Sequence, residues 1–168
     1  MINLHGLDAF CEWLAATPLS QGIQAVEWII PAVQTLHILC VAAVMSSVLI
    51  INLRLLGAVG RGLPVAEIAG RFMPFIWWPL PLLLATGITL IIAEPRRALE
   101  NPVFVLKMAL LIGAAAVTLA CQLPLRSDPR YWDRAGRAGL AAGVAGCALP
   151  LWVGIVLAGR WIAYVKTG

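Results

Sequence analysis

Four apolar stretches dominate the chain and are separated by short polar segments. They cover residues 23–51, 72–93, 103–123 and 139–158. An α-helix of about 20 residues spans the hydrocarbon core of a bilayer, and a lipid-exposed helix satisfies all of its backbone hydrogen bonds internally. The pattern therefore predicts an all-α protein that forms a bundle of four transmembrane helices.

The segment before the first stretch has the pattern of a short amphipathic helix. Its apolar positions, at steps of three and four residues, are Leu4, Leu7, Cys11 and Leu14. Asp8 and Glu12 lie on the opposite face, so the pattern predicts a helix over residues 4–16 at the membrane interface. Thr17 followed by Pro18 is typical of a helix start, with threonine as the cap and proline at the first helical position.

The segment before the fourth stretch also resembles a helix start. Residues 127–129 read Ser-Asp-Pro, and three arginines follow at helical spacing: Arg130, Arg134 and Arg137. A helix that begins in this loop would let Asp133 pair with Arg137, four residues on. Within the fourth stretch, Gly139, Gly143 and Gly146 form a face of small residues, which predicts close packing against another helix.

The composition supports one membrane domain over residues 1–168. Hydrophobic residues make up 61% of the sequence and charged residues 12%, which is more apolar than one soluble core of this size accommodates. The formal net charge is +4. The arginines flank the apolar stretches instead of forming an independent basic face, which predicts contact with anionic lipid and not with nucleic acid.

The distribution of Lys and Arg predicts the orientation in the membrane. Seven lie in the first and third connections: Arg54, Arg61, Arg71, Arg126, Arg130, Arg134 and Arg137. Five lie towards the other side: Arg96, Arg97, Lys107, Arg160 and Lys166. Because cytoplasmic loops carry the excess of positive residues, we predict a bacterial inner-membrane protein with both termini in the periplasm.

Polar residues within the spans are candidate functional residues, because they are costly to bury in lipid. Glu27, Gln34, His37 and Asn52 fall within an arc of about 80° on a helix that turns about 100° per residue. We expect this arc to face the interior of the bundle. Lys107, Glu94 and Arg160 are predicted to reach the same outer half from the other three helices.

His37 is the strongest candidate ligand. A neutral imidazole binds haem iron or copper, and its other ring nitrogen needs a partner, such as Gln34 or a backbone carbonyl. The alternative is a histidine that packs by hydrogen bonding across helices. The other histidine is His5, in the N-terminal helix; Met45, Met108 and Lys107 are possible sixth ligands.

Two basic residues are candidates for contacts with the cofactor. Lys107 could pair with a haem propionate, with Glu94 or with Glu27, or could extend its ammonium group to the headgroups. Arg160 could bind a carboxylate, or could anchor the helix at the interface beside Trp161 and Tyr164.

Two motifs carry a resemblance to known families. They are Asn52-Leu53-Arg54-Leu55-Leu56-Gly57, separated from His37 by 14 residues, and Asn101-Pro102-x-Phe104-x-x-Lys107. The chain resembles a family of small bacterial four-helix membrane proteins of unknown function. It is more distantly similar to HemJ-type protoporphyrinogen oxidases and CopD copper-resistance membrane proteins, a resemblance that implies haem or metal ligation by His37 with Lys107 in support. The chain departs from that pattern by having Asn52 in place of an aspartate, and Cys121-Gln122 where a late histidine often occurs.

Three functions compete. The first is a redox protein that binds haem b through His37, with Gln34, Lys107, Arg160 and Glu27 around the cofactor, and exchanges electrons with a quinone or a periplasmic partner. The second is a transport protein for copper or a small solute, which would need a homo-oligomer to form a wide enough lumen. The third is an accessory subunit without chemistry of its own. The sequence contains no nucleotide-binding or hydrolase motif and leaves open whether the protein is an enzyme.

Overall fold

The described part of the chain, residues 4–162 and 164–165 of a computed structural model, is built from nine α-helices and a short 3₁₀ helix. The α-helices are α1 (Leu4–Ala15), α2 (Pro18–Ala25), α3 (Ile29–Leu55), α4 (Val65–Phe72), α5 (Pro74–Trp77), α6 (Pro79–Ala93), α7 (Pro95–Leu99), α8 (Pro102–Ser127) and α9 (Ala138–Trp161). The 3₁₀ helix is Tyr131–Asp133. Lys166 and the side chain of His5 lie outside the described residues.

Four helical segments are long and apolar enough to cross a membrane: α3, the α4–α6 segment (Val65–Ala93), α8 and α9. The predicted all-α bundle of four transmembrane helices is thereby confirmed. The segments alternate in direction, so α3 begins and α9 ends at one end of the bundle. We call this the terminal end; the opposite end, where α3 ends and α9 begins, is the loop end.

The predicted helix start at Thr17 is confirmed, but the helix that follows it is short. Thr17 caps a helix by accepting a hydrogen bond from the Ser20 amide at 3.3 Å, and Pro18 is the first helical residue, as predicted. That helix ends at Ala25, because Val26 is extended. The first span therefore begins at Ile29 and not at residue 23, and it runs four residues further than predicted, to Leu55.

The predicted helix after Ser127 is wrong. Ser127 ends α8, and the Asp128 carboxylate accepts a hydrogen bond from the Arg130 amide at 3.1 Å, which makes a turn. The left-handed Gly136 (φ 87°) separates the 3₁₀ helix from α9. The three arginines therefore form no helical stripe. Asp133 pairs with Arg54 at 2.7 Å and not with Arg137.

The remaining bounds differ modestly from the prediction. The second span begins at Val65 and not at residue 72, because α4 and α5 continue into α6 despite the prolines. The third span extends to Ser127 and the fourth covers Ala138–Trp161. Each proline at a helix start occupies a position where its missing amide hydrogen costs no helical bond.

The central pair of the bundle is α3 and α9. α3 packs against α6 on one side and α9 on the other, and α8 packs against α9. α6 and α8 do not pack extensively against each other. The preceding helix α5 reaches α8 towards the loop end, where the Trp77 indole donates to the Gln122 side chain at 2.8 Å.

The buried core is unevenly distributed along the bundle. It is concentrated towards the loop end and includes Val44, Val48, Ile51, Ile68, Ile76, Cys121, Ala145 and Trp152. By contrast, none of residues 29–39, 87–92 or 102–113 is buried. The apolar core therefore lies in the loop half, whereas α3, α6 and α8 bury few side chains in the terminal half.

Glycines 139, 143 and 146 do not form the predicted packing face within this chain. A Cβ atom added at any of the three would meet no other atom within 4 Å. α9 packs instead through its buried alanines and Trp152, whose indole donates to Thr118 at 3.3 Å.

The N-terminal helix is docked onto the protein. Cys11 of α1 is fully buried, and Glu12 pairs with Arg96 of α7 at 2.5 Å. Burial, followed by the nearby Glu100 carboxylate, raises the pKa of the Cys11 thiol, so this group packs in its neutral form. α2 is fixed by the Ser20 hydroxyl, which donates to the Ile92 carbonyl at 2.7 Å.

A Schellman motif ends α3. The amide of Gly57 donates to the Arg54 carbonyl and the amide of Ala58 to the Leu53 carbonyl, with Gly57 at φ 68°. Gly60, at φ 63°, is also left-handed, and a Cβ atom there would lie 2.7 Å from Cδ1 of Ile68.

We expect Gly60→Ala to destabilise the fold by about 1–2 kcal/mol, because a left-handed alanine is strained and its methyl group displaces Ile68. Gly62→Ala is the matched control in the same loop: Gly62 has no positive φ and open space around it. Unfolding by SDS titration in mixed micelles measures both variants. Equal effects of the two substitutions would contradict this account.

Candidate functional site

His37 faces the bundle and contacts the neighbouring helix α6. Its Nδ1 atom lies 2.8 Å from the Thr86 hydroxyl, and its Cε1 atom lies beside Gly87. Thr86 is buried and the imidazole is half-buried. The predicted inward orientation of His37 is confirmed, but its partner is Thr86 and not Gln34.

The hydrogen bonds of Thr86 favour one tautomer of His37. The Thr86 hydroxyl also lies 2.8 Å from the Leu82 carbonyl, one helical turn earlier. A hydroxyl has one hydrogen. When the Thr86 hydroxyl donates to the Leu82 carbonyl, it accepts a hydrogen bond from Nδ1–H of His37. The imidazole N–H, the hydroxyl and the carbonyl then all have partners. Nε2 is then an unprotonated acceptor, and it makes no hydrogen bond to any residue in the described part of the chain.

Lys107 brings a positive charge to the same region. Its half-buried side chain crosses α9 at Gly159, where an added Cβ atom would lie 3.5 Å from Nζ. Lys107 lies in the first turns of α8 and His37 in the first turns of α3, so both belong to the terminal half of the bundle. No carboxylate within residues 4–162 lies at ion-pair distance from Lys107; in particular, Glu94 pairs with Arg97 instead.

Three other candidates do not join this pair. Glu27 precedes the first residue of α3 and is exposed, and Gln34 is exposed on the surface of α3. Arg160 is exposed and donates to the Tyr164 hydroxyl at 2.7 Å, with its guanidinium 5.1 Å from the centre of that ring. The structure therefore places His37 and Thr86 in direct contact and Lys107 in the same half of the bundle, against Gly159. We call these three residues, His37, Thr86 and Lys107, the terminal-end site.

Most polar residues of the two sequence motifs have roles in the fold. Asn52 is buried and donates to the Val48 carbonyl, while Arg54 bonds the Leu63 carbonyl and Asp133. Asn101 caps α8 by accepting from the Val103 amide at 2.9 Å. These contacts explain the polar motif residues except Lys107, which has no comparable structural partner.

Thr86, Gly87 and Gly159 were not predicted from the sequence. A threonine flanked by small residues in an apolar stretch, Ala85-Thr86-Gly87, is a weak signal, since a helical threonine usually bonds its own backbone. Gly159 can be recognised as the place where a side chain crosses α9 only when the position of Lys107 is known.

The donor atoms at the site limit the chemistry that is available. One imidazole acceptor and one ammonium donor suit a ligand that combines a metal with an acidic group. Among the residues that the structure describes, no group of three or more His, Cys, Asp or Glu is arranged to hold a bare metal ion.

Comparisons with known proteins give a single result. No curated protein and no solved structure matches the chain. Residues 10–165 match the sequence model of a family of unknown function, DUF6644, which covers all four spans and the terminal-end site. The chain is therefore a polytopic membrane protein that belongs to the DUF6644 family.

Proposed function

We propose that the chain binds haem b at the terminal-end site and serves in electron transfer. His37 would bind the haem iron through Nε2, and Lys107 would pair with a propionate. The haem would supply one-electron exchange with a quinone or a periplasmic partner. The Lys and Arg distribution supports a bacterial inner membrane, with both termini in the periplasm.

The orientation of His37 carries this proposal. Histidines that ligate metals typically donate their second ring nitrogen to an oxygen, which fixes the ring and leaves the other nitrogen as the ligand. The Nδ1–Thr86 contact at 2.8 Å supplies such a bond. Haem iron needs only one or two protein ligands, so a single imidazole is sufficient.

Lys107 and the small number of buried residues support haem over a bare ion. A half-buried ammonium group without a carboxylate partner is costly, and a propionate would neutralise it. Residues 29–39 and 102–113 include no buried residue, so a flat apolar ring placed between them would contact side chains outside the buried core. When bound, haem supplies one-electron exchange at its iron.

The two other functions receive less support. A permeation path along Glu27, Gln34, His37 and Lys107 would need all four to face one lumen, but Glu27 and Gln34 are exposed in the single chain. An accessory subunit would leave the free acceptor on His37 without a role.

The absorption spectrum tests the proposal, with Thr86→Val as the sharpest variant. We expect the protein purified in detergent from haem-supplemented cells to show a Soret band. Removing the hydroxyl frees Nδ1 and relaxes the tautomer and ring orientation, so haem affinity should fall about 10- to 100-fold. Titration with hemin, followed at the Soret maximum, measures the affinity.

Thr89→Val is the matched control, because Thr89 bonds only the Ala85 carbonyl, one turn earlier. Its affinity should equal that of the parent protein. A parent protein without a Soret band, or equal losses in both valine variants, would refute the proposal.

A further inference from the structure

An open cleft lies at the loop end, far along the bundle from the terminal-end site. It has a volume of about 300 Å³ and is lined by the end of α3, the start of α4, the 3₁₀ helix and the start of α9. One part of its wall is charged, with Arg54, Asp133 and Arg134. The other part is apolar and includes Leu55, Val65, Trp132 and Ala141.

Each charge of the wall has a partner, and the excess of positive charge comes from the surrounding loop, residues 126–137, which holds four arginines and two aspartates. Both oxygens of Asp133 are engaged: one pairs with Arg54 at 2.7 Å, and the other accepts from the Val65 amide at 2.9 Å. Arg134 contacts Asp128 at 2.7 Å through one nitrogen, and its side chain is 60% exposed. A guanidinium group has five N–H donors, so Arg134 keeps donors for an anion in the cleft.

The cleft lies at the level of lipid headgroups. Leu55 ends the α3 span and Ala138, which also lines the cleft, begins the α9 span. An anion bound here by Arg134 has apolar side chains directly beside it. Free phosphate gains nothing from such a wall, whereas a phospholipid places its first acyl methylenes against it.

We propose that this cleft binds an anionic phospholipid, with the phosphate at Arg134 and the upper part of an acyl chain against Leu55 and Ala141. Basic pockets between membrane helices bind anionic headgroups in this way, and bonds from arginine to phosphate are charge-assisted. This site is independent of haem, and its test needs no cofactor.

Native mass spectrometry of the detergent-solubilised full chain tests the site. The probes are dioctanoyl-phosphatidylglycerol, dioctanoyl-phosphatidylcholine and inorganic phosphate. We expect phosphatidylglycerol to bind about tenfold more tightly than phosphatidylcholine, since the neutral lipid carries its own cation against the excess positive charge. Inorganic phosphate should not compete with the bound lipid at millimolar concentration.

Two variants locate the site and one serves as control. Arg134→Gln removes the phosphate donor, and Ala142→Phe fills the cleft without disturbing an ion pair; each should lower phosphatidylglycerol affinity about tenfold. Arg130→Gln removes an equal charge from the same loop, outside the cleft lining, and should have little effect.

Three results would overturn the proposal. The first is equal losses from Arg134→Gln and Arg130→Gln, which would indicate diffuse attraction. The second is full affinity in Ala142→Phe with a thermal midpoint equal to that of the parent. The third is displacement of the lipid by inorganic phosphate.

Discussion

Replacement of His37 by alanine is expected to abolish the Soret band of the purified protein. The substitution removes the only imidazole at the site, and Thr86 still satisfies its hydroxyl at the Leu82 carbonyl, so no buried group loses its partner. Because His37 is half-buried and lies in the terminal half, where few side chains are buried, the helical circular dichroism and the elution volume should stay unchanged. Absorption spectra before and after addition of hemin provide the measurement.

Two further variants separate ligation from structure. His37→Gly leaves a space in which added imidazole should restore the band, a result that a purely structural role does not produce. Gln34→Ala, one turn earlier on an exposed position, should leave the spectrum intact. Persistence of the full Soret band in His37→Ala would show that haem is bound at another site.

Replacement of Asp133 by alanine should cause the largest loss of stability, about 3 kcal/mol, because it leaves Arg54 without its carboxylate partner and the Val65 amide without an acceptor. The side chains of Arg54 and Asp133 are only 12% and 25% exposed, so water compensates poorly. This pair joins the end of α3 to the loop before α9, 79 residues later in the chain. The free energy of unfolding from SDS titration is the measurement.

Glu67→Ala is the matched control. Glu67 pairs with Arg71 at 2.6 Å, but both side chains are well exposed and lie four residues apart on one helix. Such pairs contribute about 0.3–0.5 kcal/mol. A loss in Asp133→Ala no larger than that in Glu67→Ala would mean that the buried pair does not stabilise the loop end.

The four spans and the cap at Thr17 could be predicted because they depend on local sequence. Apolar length fixes the number of membrane helices, and a threonine before a proline fixes a helix start within three residues. The Ser127-Asp128-Pro129 prediction used the same local rule and failed. There the Asp128 carboxylate bonds the Arg130 amide in a turn, and Gly136 adopts a left-handed conformation before α9 begins.

The helical-wheel prediction failed for Glu27 and Gln34 for two different reasons. The chain breaks between α2 and α3, so the angular position of Glu27 no longer relates to that of His37. Gln34 belongs to the same helix as His37, but the boundary between exposed and half-buried positions falls between them. A helical wheel shows which side chains lie on the same side of a helix. How much of that side is covered depends on the position of the neighbouring helices.

The partners of His37, Lys107 and Arg54 were beyond sequence reasoning. Thr86 is 49 residues from His37, and neither residue's local pattern encodes how α3 and α6 are rotated against each other. Lys107 has the same limitation, because its position depends on Gly159 of another helix.

The uneven packing of the bundle separates the requirements of folding from those of binding. The apolar residues that hold the helices together are concentrated at the loop end, whereas His37 and Lys107 lie at the terminal end. A molecule that enters between α3 and α8 at the terminal end displaces acyl chains and not core side chains. The forms with and without a ligand can thus share one backbone conformation. Substitutions at the terminal end can change which ligand is bound without affecting how the helices assemble in the bilayer.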